Sequence, residues 1–116
     1  MIRTLDNKNK NKQMIRVNEY EALKQKLTAA EFTAITDEID KLVNESNGKF
    51  VPSWQDIDWS DAVFKPLVNA CGGDVEMSSK FYGLICWDVI RQRSEVWTYT
   101  KFEQNGRKYS IVYGKG

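Results

Sequence analysis

Asn105-Gly106 lies between two stretches rich in Thr, Tyr, Val and Trp, residues 96–103 and 108–113. Both central positions of a type I′ turn need positive φ, which Asn and Gly tolerate. The end of the chain therefore reads as an antiparallel β-hairpin. A two-residue turn would set Glu103 opposite Lys108, Phe102 opposite Tyr109, Thr100 opposite Ile111 and Thr98 opposite Tyr113. The first is a charge pair and the second an aromatic pair, and both support that register. One hairpin is marginal in water, so this one must pack on helices or find a third strand.

The preceding residues supply the helices. Asn18 and Glu21 have the spacing of a helix start, followed by Tyr20, Leu23 and Leu27 as a short apolar stripe. Thr28-Ala29-Ala30-Glu31 matches a capping box, with Leu27 and Phe32 at the staple positions around it. Phe32, Ile35, Ile39, Leu42 and Val43 then recur on one face, and Asn47-Gly48 ends the run. This predicts helices over 18–27 and 29–46, with Asp37, Glu38 and Asp40 facing water.

Residues 49–59 read as a loop with Phe50, Val51, Pro52, Trp54, Ile57 and Trp59 in it. Ser60-Asp61 caps a third helix with Val63, Phe64, Leu67 and Val68 on its apolar face, ended by Cys71-Gly72-Gly73. Pro66 implies a kink, or a helix that starts only there. Ser78 or Ser79 caps a fourth helix running to about Arg93, apolar almost all round and so central to the core. Gly83 within it marks close approach of a neighbouring helix. A strand over 80–90 is the alternative for the same apolar run.

Residues 1–16 read as a flexible basic arm, with the low-complexity run Asn7-Lys8-Asn9-Lys10-Asn11-Lys12 inside it. Residues 17–116 then form a single globular α+β domain: about four helices followed by the hairpin, an order like that of a winged helix. Hydrophobic residues are 41% of the 116, and fourteen are aromatic, enough large side chains for a core at this length.

Composition also excludes chemistry. The chain has no histidine, which removes a Ser-His-Asp triad, a Cys-His dyad and any His-bearing zinc site within one chain. Cys71 and Cys86 alone are too few for a thiolate metal site, and they read as free thiols in a cytoplasmic protein. Phosphate-binding glycine motifs, nucleophile elbows and zinc-protease motifs are absent. Asp56/Asp58 and Asp37/Asp40 have spacings common on solvated surfaces. The expectation is no enzyme, no cofactor and no metal. No apolar run is long enough to span a membrane, and the N-terminus lacks the apolar stretch of a secretory signal.

Net charge is +1 but divides unevenly. Residues 1–16 carry five basic groups against one acidic, 17–62 four against ten, and 63–116 eight against five. Such asymmetry suits a polyanion on one side or a partner with complementary patches. The first expectation is a non-catalytic nucleic-acid-binding or regulatory module of winged-helix type. Lys80, Arg91 and Arg93 would lie on or beside the recognition helix, with Lys101, Arg107 and Lys108 on the wing. It requires those cations to converge, and it is strained by Asp88 in the middle of the fourth helix. The alternative is a small protein-binding inhibitor or accessory factor, of the size phages and mobile elements encode. It would act through Trp54, Asp56, Asp58 and Trp59 on a host protein.

Overall fold

A computed structural model describes residues 2–5, 17–52, 55–103 and 109–115. The elements run β1 (Ile2–Leu5), α1 (Val17–Lys24), α2 (Ala29–Glu45), β2 (Lys49–Phe50), α3 (Lys65–Ala70), α4 (Val75–Arg91), β3 (Trp97–Glu103) and β4 (Tyr109–Lys115). Among the described residues, four helices and one antiparallel sheet make the α+β architecture expected. The sheet order is β1-β3-β4-β2. No described helix is long and apolar enough to cross a membrane.

The local signals that proved strongest are those with a stereochemical mechanism. Thr28 accepts the Glu31 amide at 3.1 Å while the Glu31 carboxylate accepts the Thr28 amide at 2.9 Å, closing the capping box at the head of α2. Ile35, Ile39 and Val43 are the buried face of that helix. Asn47 and Gly48 then turn with φ of 58° and 87°. Pro66 sits in the first turn of α3, where its missing N–H is not needed, so the helix begins there without a kink. The turn ahead of it is tied by the Asp61 carboxylate, which accepts from the Val63 amide.

Several expectations are corrected. Helix α4 starts at Val75, not beyond Ser78, because the Asp74 carboxylate accepts from the Met77 amide and is the true cap. Ser78 is instead buried in the first turn, its hydroxyl donating to the Asp74 carbonyl. Residues 80–90 are helical throughout. Lys49-Phe50, expected to be loop, is a short strand paired with Gly114 and Tyr113 of β4. Ile2–Leu5, expected within the arm, is a strand paired with Trp97–Thr100 of β3. Ile2 and Thr4 are β-branched, which suits a strand, and the edge of β3 supplies the ladder. Residues 6–16 lie outside the described residues.

The β3–β4 register also differs by one residue. Glu103 pairs with Tyr109, Thr100 with Val112, Tyr99 with Tyr113 and Thr98 with Gly114. Directly opposed residues share a face, so a one-residue slip exchanges the two faces. Opposite Thr98, Tyr113 would stand away from Trp97 and Tyr99. Opposite Tyr99, it joins them, and all three are buried. Burial of three large aromatics thus overrides the Glu103–Lys108 charge pair. The turn expected at Asn105-Gly106 lies outside the described residues.

Helix α4 is the hub. It packs against α1, α2 and α3, and Trp87 meets Tyr99 of β3 edge-on with ring centres 5.1 Å apart. Eight of its seventeen residues are buried, among them Phe81, Ile85, Cys86 and Ile90. A second aromatic cluster joins Trp59, Phe64 and Tyr82 in mutual edge-to-face contacts of 5.9–6.2 Å.

Candidate functional site

Six cations were singled out from the sequence, and α4 with its flanks places three of them in described structure. Lys80 is exposed on the N-terminal half of α4. Arg91 closes the last turn, its Nε donating to the Asp88 carboxylate at 3.0 Å. Arg93, just past the helix, donates from Nε and Nη2 to Glu95, from Nη1 to Asp40 and from Nη2 to Asn44. Lys101 occupies β3 at the register position opposite Ile111. Arg107 and Lys108 lie outside the described residues, so where they stand relative to Lys80 belongs to the proposal below.

The Arg93 cluster ties α2 to the corner between α4 and β3. Partial burial works against the guanidinium charge, but the Glu95 and Asp40 hydrogen bonds outweigh it and raise the Arg93 pKa. Glu95 mirrors this. Burial opposes its charge, yet hydrogen bonds from its own amide and from Arg93 hold its carboxyl below the ordinary range. Asp40, expected to face water, is half-buried and in this cluster. No sequence signal joins residues 53 apart, so the tie between Arg93 and Asp40 is not legible in the sequence.

Asp88 is the buried acid of α4, and its position answers why an acid tolerates so apolar a helix. It faces α1, accepting from the Tyr20 hydroxyl at 2.7 Å, from Arg91 at 3.0 Å and from the Gln92 amide at 2.7 Å. Three donors, one of them cationic, satisfy a carboxylate that would otherwise be costly to bury. Burial, then the bond to Asp88, push the Tyr20 hydroxyl pKa far above its ordinary value. The charge is thereby satisfied within the fold.

The outward side of α4 is different in kind. Glu76, Lys80, Gly83 and Trp87 follow one another at helical spacing, the first two exposed and the last two half-exposed. Gly83 does not mark a close neighbour, as its place in the sequence suggested. A Cβ built there meets no atom within 4 Å among the described residues. The C-terminal end of α4 borders a groove of about 460 Å³ whose lining includes Phe32, Asp40, Asp88, Val89 and Arg93. Asp40 and Arg93 in it are bonded to each other, and Asp88 is bonded to Tyr20, Arg91 and Gln92.

The aromatic and acidic residues of the alternative surface are arranged as follows. Trp59 is half-buried, its indole edge-on to Phe64 and Tyr82. Asp56 and Asp58 are exposed. Asp58 accepts from both the hydroxyl and the amide of Ser60, which lowers its pKa. Trp54 lies outside the described residues. Cys71 and Cys86 are free thiols, and burial raises both. Among the described residues no group of three or more His, Cys, Asp or Glu side chains is placed to hold a metal ion. Comparison with known protein families, with curated proteins and with solved structures finds no match to this chain.

Proposed function

We propose that the chain is a non-catalytic nucleic-acid-binding module of winged-helix type. One observation carries the reading: the order α2, β2, α3, α4, β3, β4, with β2 hydrogen-bonded to β4 and β4 to β3. In a winged helix the helices precede a two-strand wing, and the last of them enters a major groove. On this reading α2, α3 and α4 are those helices, the antiparallel pair β3–β4 is the wing, and α1 and β1 are additions. Element order is fold-level analogy, so the chemistry must come from the charges.

The charges refine the reading. Arg91 and Arg93 are held by acids of the fold and are assigned no phosphate. The phosphate contacts go to Lys80 on α4 and to Lys101, Arg107 and Lys108 on the wing. Asp88, buried toward Tyr20, is kept from the groove-facing side. Four contacts give modest affinity with a log K against log salt slope of about −4. The rival reading, a protein-binding inhibitor or accessory factor, draws on the exposed Asp56 and Asp58 beside Trp59.

Fluorescence anisotropy of a mixed-sequence DNA duplex tests the choice. Binding at low salt that weakens as salt rises, and that Lys80→Ala and Arg107→Ala each reduce, supports the nucleic-acid reading. Absence of binding at low salt overturns it.

A further inference from the structure

Gly83 stands in the middle of a seventeen-residue helix, where glycine is a poor choice. Two ordinary reasons for a glycine are missing. Its φ is not in the left-handed region, which among glycines of the described chain is occupied by Gly48, Gly72 and Gly73. A side chain would meet no neighbour, since a Cβ built there finds nothing within 4 Å among the described residues. The missing side chain leaves a notch between exposed Lys80, one turn before, and half-exposed Trp87, one turn after. Trp87 in turn leans on Tyr99 of β3, so the notch opens next to the sheet that carries the wing.

We infer that Gly83 is the point of closest approach between α4 and a DNA duplex, with Lys80 taking the adjoining phosphate. This rests on the nucleic-acid reading and adds to it the residue that sets how near α4 can come to the duplex. Glycine is the residue that lets a ligand come near a backbone. The occupant is a nucleic-acid duplex because the charged side chain next to the notch is Lys80, with exposed Glu76 a further turn away, while the arginines at the other end of α4 are engaged by Asp88, Asp40 and Glu95.

The test exploits opposite signs. Gly83→Ala removes backbone freedom from the unfolded chain without a clash, so Tm rises by about 4 °C. The same methyl group intrudes on the duplex. Gly83→Ala then weakens binding to a mixed-sequence DNA duplex, and Gly83→Leu weakens it by about tenfold or more. Higher Tm with weaker binding supports the inference. If wild type binds and both variants bind equally well, the inference is overturned while the nucleic-acid reading stands. If wild type fails to bind the duplex at low salt, both fall, and the notch is left to a protein partner.

Discussion

The Tyr20 hydroxyl donates to the Asp88 carboxylate at 2.7 Å, joining residues 68 apart in the chain and fixing α1 onto α4. Tyr20 also packs edge-on against Phe81, so one side chain supplies both an apolar contact and the donor that a buried acid needs. Tyr20→Phe keeps the ring and removes the donor. It should lower stability by about 2 kcal/mol, the usual cost of losing a buried hydrogen bond to a charged group. Urea denaturation checks this. In a double-mutant cycle with Asp88→Ala the two losses should be less than additive, because each variant removes one partner of the same bond.

Arg93 is assigned to structure and not to ligand. Arg93→Ala should cost about 1 kcal/mol, since its ties to Asp40, Asn44 and Glu95 are only partly shielded from water. On the proposed nucleic-acid reading, affinity for DNA should stay within about twofold of wild type, as expected where no phosphate contact is lost. Thermal melts and anisotropy on one preparation measure both.

Trp59 should behave as a packing residue. Its contacts with Phe64 and Tyr82 predict that Trp59→Ala lowers stability by about 3 kcal/mol. The loss should be read by denaturant melts in the isolated protein, with no partner needed.

Stability should fall on the alkaline side. Burial raises the hydroxyls of Tyr20, Tyr82 and Tyr113 and the Cys86 thiol above their ordinary values of 10.0 and 9.0. Below those ordinary values both folded and unfolded chains are protonated and these groups give no slope. Above about pH 9 the unfolded chain ionises first, so unfolding releases protons and stability drops as pH rises. Glu95 acts on the other side. Its lowered pKa contributes stability above the ordinary glutamate range, and that is lost as pH falls through its folded value. Urea midpoints should therefore form a plateau near neutrality, and a midpoint that rises from pH 9 to pH 10.5 would contradict the assignment.

The sequence made the helices legible where a cap or turn had a local mechanism. Thr28 and Glu31 announced α2, and Pro66 offered the start that α3 uses. It was less informative where the deciding interaction was distant. Ser78 is an equally good local cap, and only the structure shows that Asp74 takes the role. The β3–β4 register follows Tyr113 joining Trp97 and Tyr99, a choice made by the helices beneath the sheet and not by the turn. Strand β2, two residues long, carries no periodicity to read. Within the candidate site, Lys80 could be chosen from the sequence, whereas the capture of Arg93 by Asp40 and the empty space over Gly83 depend on how three elements meet.

The proposed nucleic-acid reading requires Lys80 of α4 and the cations assigned to the β3–β4 wing to meet nucleic acid together. The salt dependence of duplex affinity, measured for wild type and for a variant with Lys80, Lys101, Arg107 and Lys108 all changed to Ala, tests this most directly. A wild-type slope of about −4 that collapses toward zero in the variant is the expected result. An equal slope in both proteins would contradict it.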